Sequence, residues 1–177
     1  MIIWGGFYWD GTSEYYLNSG GKYNPQTDTW DSASVGIDCP TGRYGHTAIW
    51  TGSKMIIWGG LSDGEIPINS GGIYDSVKDI WSPTSIDANC PSVRYYHSAI
   101  WTGTEMIMWG GTYGLNLDTG GRYNSSTNSW IPTSTTNVPT NRIYHTATWT
   151  GTEMIIAGGY NHGYYLTQGG KYDPTSD

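Results

Sequence analysis

The sequence predicts an all-β chain built by radial repetition of small antiparallel sheets, and three observations carry that prediction. The stretch Met1-Ile2-Ile3-Trp4-Gly5-Gly6 is written four times: it returns at Met55, at Met106 with Met108 in place of the second Ile, and at Met154 with Ala157 in place of the Trp. The successive starts are 54, 51 and 48 residues apart, a period that marks propellers, solenoids or arrays rather than one irregular core. Ten Trp and fifteen Tyr against one Phe, with 26 Gly, is the composition of short strands and tight turns. No long window keeps apolar residues at helical spacing, so almost no helix is expected.

Each period divides into four short strands. Strand a is the stretch Arg43-Tyr44-Gly45-His46-Thr47-Ala48-Ile49-Trp50, repeated from Arg94 to Trp101 and from Arg142 to Trp149. A Thr-Gly pair follows each copy and reads as a tight hairpin in which Gly takes the positive φ. Strand b is the Met-Ile stretch ending in the Gly pair. It is apolar on both faces, because Met55 and Ile57 point one way while Ile56 and Trp58 point the other. Strand c opens with a second Gly pair, Gly20-Gly21-Lys22-Tyr23, echoed at Gly71, Gly120 and Gly169, and strand d surrounds Trp30, Trp81 and Trp130. A four-stranded sheet that is apolar on both sides must be sandwiched between copies of itself, and radial repetition of such sheets is a β-propeller.

A Gly pair ending the second strand, a Tyr soon after, a Trp six to seven residues beyond it and an Arg-x-x-His opening the next repeat together resemble kelch repeats. The resemblance covers essentially the whole chain. The second Gly pair and the Trp-Thr-Gly turns resemble bacterial kelch proteins and the central domain of galactose oxidase. The departures are Ala157 for Trp and Ile143 for a Tyr of strand a. The fold expected is therefore a kelch β-propeller with four-stranded antiparallel blades, in one segment spanning 1–177. The blades fall at about 1–34 (partial), 41–86, 92–135 and 141–177 (partial).

In strand letters the chain reads bcd, abcd, abcd, abc, an incomplete arc of about three and a half blades. An open arc bares one blade face at each end, roughly 300 Å² apiece from strand spacings. At ~25 cal/mol/Å² that costs on the order of 7 kcal/mol per face. The expected cover is the rest of a longer chain, the preferred reading, or self-association.

Composition excludes several functions. A net charge of −7 with eight Lys and Arg does not suit a phosphate-backbone binder, which needs a basic stripe. No apolar run is long enough for membrane insertion, and the N-terminus lacks the basic and apolar segments of a secretion signal. Cys39 and Cys90 precede a Pro at equivalent points of successive repeats, and such points usually lie farther apart than the ~7 Å Cα limit for a disulfide. They read as two thiols, either free or paired externally, or as apolar packing, as at Val138. No zinc or haem spacing exists, and no cofactor or metal is expected.

The repeating polar residues read as architecture. His46, His97 and His145 occupy one place in three blades, so a radial fold spreads them apart and structural hydrogen bonding is expected of them. Arg43, Arg94 and Arg142 stand near the channel mouth, either as an arc for an anionic ligand or, the favoured reading, as neutralisers of Asp and Glu. The Gly pairs lack the following helix of a phosphate loop.

What does not repeat is more informative. The b-to-c loops, 7–19, 61–70, 112–119 and 160–168, differ in length and content and share one face with the d-to-a connections. They supply the binding candidates Trp9, Asp10, Tyr15, Tyr16, Asp63, Tyr113, His162, Tyr164 and Tyr165, with Glu14, Glu65 and Asp118 nearby. Aromatics beside carboxylates suit sugar stacking or a protein hot spot; packing of these rings on neighbouring blades is the competing reading. Asp10 with Glu14, or Asp63 with Glu65, is the pairing a glycosidase would need, but nothing in the spacing makes them converge.

The resemblance also admits copper chemistry of the galactose oxidase kind, but neither Cys lies in a loop with the necessary Tyr and His. The function expected is a non-enzymatic recognition module that binds a protein or glycan through its loop face. The alternative is the scaffold part of a carbohydrate-active oxidase or hydrolase whose catalytic residues are expected partly outside this segment. Low Lys, abundant Thr, Ser and Asn, and the resemblance set the expected location at the surface or outside of a bacterial cell.

Overall fold

A computed structural model describes residues 1–177, and the chain is all-β and antiparallel apart from one 3-10 turn at Asp63–Glu65. The blade strands are β1 (Ile2–Trp4), β2 (Gly20–Asn24) and β3 (Thr29–Ser32) in the first sheet. The second sheet has β4 (Thr47–Trp50), β5 (Lys54–Trp58), β6 (Gly71–Asp75) and β7 (Ile80–Pro83). The third has β8 (Ser98–Trp101), β9 (Glu105–Trp109), β10 (Gly120–Asn124) and β11 (Ser129–Pro132). The fourth has β12 (Thr146–Trp149), β13 (Met154–Ala157) and β14 (Gly170–Tyr172). Strand order within each sheet follows the chain, which is the up-down meander of a propeller blade.

The repeated apolar stretch fills the space between sheets, as its two-sided pattern requires. Trp4 and Ala33 of the first sheet meet Met55, Ile57, Tyr74 and Trp81 of the second. Ile56 and Trp58 meet Met106, Met108, Tyr123 and Trp130 of the third. Ile107 and Trp109 meet Met154 and Ile156 of the fourth. Full burial of side chains this size stabilises by about 1.5–3 kcal/mol each. Where a sheet has no neighbour the same positions are open: Ile3 is 53% and Trp30 50% exposed, whereas their counterparts Ile57 and Trp81 are 0% and 3% exposed.

Polar ties run between blades in the same rhythm. The Trp81 and Trp130 indoles donate to the Ser34 and Ser85 carbonyls at 2.9 and 3.0 Å. In the turn after strand c of the second, third and fourth sheets an Asp or Asn accepts from the strand's Tyr and from a backbone N–H of the preceding blade. Asp79 serves Tyr74 and Ser34 in this way, and Asn128 serves Tyr123 and Ser85. The innermost strand β8 lies beside both β4 and β12, so the segments leading into strand a converge on one side of the arc.

Candidate functional site

Three of the four b-to-c loops are held at their necks by the repeating arginines. Arg43 is 1% exposed; its Nη1 donates to the carbonyls of Gly59 at 3.1 Å and Ser70 at 2.7 Å, which stand at the two ends of the b-to-c loop of its own blade. Arg94 does the same for Gly110 and Thr119, at 3.0 and 2.7 Å. Arg142 does it for Gly158 and Gln168, at 2.8 and 2.6 Å. Burial lowers the Arg43 and Arg94 guanidinium pKa to about 10, so both stay protonated at neutral pH.

Neither role weighed for these arginines from sequence describes this arrangement. They do not line an open mouth for an anion, because their donors are spent on buried carbonyls. They also have no carboxylate partner, since the four ion pairs of the chain involve Lys22, Lys54, Arg122 and Lys171.

Above the necks the segments expected as loops are small hairpins. Phe7–Trp9 pairs with Glu14–Tyr16, Leu61–Ser62 with Ile66–Pro67, Thr112–Tyr113 with Leu115–Asn116, and Tyr160–Asn161 with Tyr164–Tyr165. The residue after each arginine is stitched to the hairpin of its own blade, through Tyr44↔Leu61, Tyr95↔Thr112 and Ile143↔Tyr160. Asparagines lock the last two hairpins together: Asn116 Nδ2 donates to Asn161 Oδ1 at 3.0 Å, and Asn161 Nδ2 donates to Asn141 Oδ1 at 3.0 Å. These bonds tie the hairpins to the blades and to one another, and a surface preorganised in this way carries a lower ordering cost on binding.

The stitching brings a row of aromatic rings to the face. Phe7 lies 5.3 Å from Tyr16 and 5.2 Å from Tyr44 between ring centroids. Tyr44 is 6.4 Å from Tyr96, Tyr96 is 4.9 Å from Tyr95, and Tyr96 is 4.7 Å from Tyr144. Tyr44, Tyr95, Tyr96 and Tyr144 are absent from the candidates read from sequence, because they sit inside the repeated Arg-x-x-His stretch and repetition reads as architecture. A signal did exist: one position of that stretch holds Gly45, Tyr96 and Tyr144 in successive repeats.

The backbone gives that position its meaning. Gly45 has φ 66°, Tyr96 57° and Tyr144 56°. All three are left-handed, a region where a bulky side chain is an outlier. The fold needs the left-handed turn and Gly45 supplies it without strain. Two repeats carry a tyrosine there instead, and local strain of this kind concentrates at functional sites. A β-carbon on Gly45 would come within 3.1 Å of the Tyr96 ring, so this glycine also makes room for its neighbour's side chain.

The residues singled out from sequence divide by location. Tyr16 joins the aromatic row and its hydroxyl donates to Glu14 at 3.2 Å. Tyr113, 56% exposed, lines a cavity in the row. Tyr15 stacks on Tyr8 at 4.6 Å. Trp9, Tyr164 and Tyr165 are exposed on outer parts of their hairpins. Asp10 is a turn carboxylate: Oδ1 accepts from the Thr12 and Ser13 amides and Oδ2 from the Tyr15 hydroxyl. These bonds hold its pKa below the usual range. Asp63 opens the 3-10 turn, and His162 sits at φ 43° in the tip of its hairpin.

Two cavities open on this face. One of 290 Å³ lies among Tyr44, Leu61, Glu65, Tyr95, Tyr96 and Tyr113, and one of 330 Å³ among Tyr144, Gly159, Tyr160 and Tyr165. The largest cavity, 660 Å³, lies instead beside β1, between Met1, Ile2 and Tyr23 and the residues Ala48, Ile49 and Trp50. It flanks the edge of β1 where the second sheet carries an innermost strand, which makes it a feature of blade architecture.

His97 and His145 are buried ties between blades. His97 Nε2 meets the Thr47 hydroxyl at 2.9 Å and His145 Nε2 meets Ser98 at 2.7 Å, in each case on the preceding blade. Each ring also packs edge-on against a strand-b tryptophan. Burial, then the neighbouring arginine, lowers the pKa of His46 and His145 to about 4. Cys39 and Cys90 are free and weakly bonded to the Asn18 and Asn69 carbonyls. No three His, Cys, Asp or Glu side chains cluster as metal ligands would, and no helix is long and apolar enough to cross a membrane.

Comparison with known proteins agrees with this architecture. The family model of the KLHDC2/KLHL20/DRC7 Kelch-repeats domain matches residues 1–125. Kelch domain-containing protein 3 of Bos taurus is 32% identical over 72 residues, 41% of this chain and 19% of that protein. The leucine-zipper-like transcriptional regulator 1 homolog of Drosophila melanogaster is 29% identical over 93 residues, 51% of this chain and 9% of that protein. Tip elongation aberrant protein 1 of Schizosaccharomyces pombe is 27% identical over 121 residues, 66% of this chain and 10% of that protein. The chain thus spans less than a fifth of the length of each.

Proposed function

The chain belongs to the kelch-repeat family, and from that premise we propose that it is a non-enzymatic recognition module that binds another protein through the face bearing its b-to-c hairpins. The observation that carries this reading is the left-handed backbone of Tyr96 and Tyr144, at a position where Gly45 does the structural work at no steric cost. The two tyrosines extend an ordered aromatic row across neighbouring blades, and exposed aromatic rings on a rigid support are the usual anchors of protein interfaces. Scaffold and recognition surface are separate in this design: the repeated residues bury themselves between sheets, and the hairpins vary above them.

The test is affinity capture from a lysate of the source cell with three forms of the chain: wild type, Tyr96→Ser/Tyr144→Ser on the hairpin face, and Val77→Glu at the opposite end. Val77 is 90% exposed in the turn between β6 and β7. The reading predicts a partner retained by wild type and by Val77→Glu and lost by the tyrosine double variant. A partner lost only with Val77→Glu, or retained by all three, refutes it.

A further inference from the structure

The 290 Å³ cavity has a composition that protein recognition in general does not explain. Four tyrosines, Tyr44, Tyr95, Tyr96 and Tyr113, surround it above the buried Leu61, and Glu65 stands at its edge. Tyr95 and Tyr96 are nearly perpendicular, with an interplanar angle of 68°, and Tyr96 and Tyr44 meet at 63°. The rings therefore present faces in more than one direction.

The Glu65 carboxylate takes part in none of the four ion pairs. Its backbone is left-handed too, at φ 57°, immediately after Gly64 at φ 71°. A charged side chain is thus carried to the rim of an aromatic cavity by a strained turn.

The charges around it are one-sided. Of the eight Lys and Arg, the guanidinium groups of Arg43, Arg94 and Arg142 are buried against carbonyls. Lys22, Lys54, Arg122 and Lys171 belong to blade strands, and Lys78 lies in the turn between β6 and β7. No lysine or arginine stands in any b-to-c loop, whereas Asp10, Glu14, Asp63, Glu65 and Asp118 do. An anion would meet unscreened carboxylates here, and a neutral ring would leave Glu65 unused. A planar cation matches both the aromatic faces and the carboxylate, because a guanidinium stacks on rings and pairs with a carboxylate through two N–H donors.

We propose that this cavity receives the side chain of an arginine from a basic segment of the protein partner, its guanidinium stacked among the four tyrosines and paired with Glu65. The inference rests on the hairpin-face reading above and names the chemistry of what that face grips.

The experiment is an NMR titration of the tyrosine rings of the full chain with acetyl-Gly-Arg-Gly-amide, beside the same peptide with citrulline, the neutral isostere. Saturable shifts at Tyr44, Tyr95, Tyr96 and Tyr113 are expected with the arginine peptide. Binding of the citrulline peptide is expected to be roughly tenfold weaker, as is binding of the arginine peptide to Glu65→Gln. Glu65 is exposed, so that variant keeps the fold, and Tyr113→Ala provides a second exposed substitution with the same expected loss. Equal binding of the two peptides, shifts confined to other rings, or no saturation at tens of millimolar peptide overturns the proposal. Those results leave the hairpin-face reading to its own capture test; a partner that is lost by Tyr96→Ser/Tyr144→Ser but binds Glu65→Gln as tightly as wild type refutes the arginine site alone.

Discussion

Replacing Arg94 with Met tests the claim that one guanidinium holds a recognition hairpin in place. Arg94 makes five hydrogen bonds: three to the carbonyls of Ser92, Gly110 and Thr119 and two to the hydroxyls of Ser92 and Thr119. Methionine fills much of the volume and supplies no donor. Each buried carbonyl left unpaired costs about 1–3 kcal/mol. Relief from burying a charge offsets part of that sum, because a desolvated ion is itself expensive. The net expectation is a loss of about 3–5 kcal/mol, a large share of the stability of an ordinary domain.

The same change at Arg142, which has three carbonyl bonds and no hydroxyl bonds, is expected to cost less, about 2 kcal/mol. Denaturant unfolding followed by Trp fluorescence measures both. Amide exchange separates the clamp from general destabilisation, since the neck at Gly110 and Thr119 should open before the blade strands do. A loss under about 1 kcal/mol for Arg94→Met, or unchanged exchange at the neck, would refute the clamp.

Three further outcomes follow from the same structure. Because burial lowers the pKa of His46 and His145 to about 4, the unfolded chain takes up protons that the native state does not as pH falls from about 6.5 to 4. Stability should drop by about 3 kcal/mol for each of the two histidines across that window. The carboxylates with lowered pKa, such as Asp75 and Asp79, act in the same direction but below that window. Unfolding curves at pH 7 and 4.5 measure the effect, and equal midpoints would contradict it. Burial raises the Cys90 pKa to about 11, so roughly one thiol in a thousand is ionised at pH 8 and alkylation should be far slower than for a solvent-exposed cysteine; alkylation at the exposed-thiol rate would contradict that burial. At the left-handed Tyr144, substitution by Gly is expected to cost at least about 1 kcal/mol less than substitution by Val, because a β-branched side chain resists positive φ. Thermal unfolding of the two variants checks this, and equal stabilities would contradict it.

The blade architecture was legible because it is written several times. Met55 and Ile57 alternate with Ile56 and Trp58, so strand b had to be covered on both sides, and the sheets pack in that order. The Tyr-to-turn ties and the Trp-to-His contacts follow the same period. The hairpin face was legible only in part. Variable loops pointed to Tyr16 and Tyr113, yet the rings between them, Tyr44, Tyr95 and Tyr96, belong to a repeated stretch and were hidden by its regularity.

Two physical facts explain the remainder. A positive φ at Tyr96 cannot be read from the residue itself, only from the glycine that replaces it one repeat earlier. The arginines looked surface-bound because charge is usually solvated, and only the structure shows that each carries its charge into a nest of carbonyl groups. Asp10 looked like a ligand group for a related reason: an exposed carboxylate beside aromatics resembles a site until its lone pairs are found to be capping a turn.

The measurement that bears most directly on the central claim is amide hydrogen exchange of the chain with and without its captured protein partner. Recognition through the hairpin face predicts protection concentrated at 7–16, 43–46, 61–67, 94–97, 112–116, 142–145 and 160–165, with the turns at 25–28, 76–79 and 125–128 unchanged. Protection of those turns, with the hairpins exchanging as in the free chain, would place recognition at the opposite end of the blades and contradict the account.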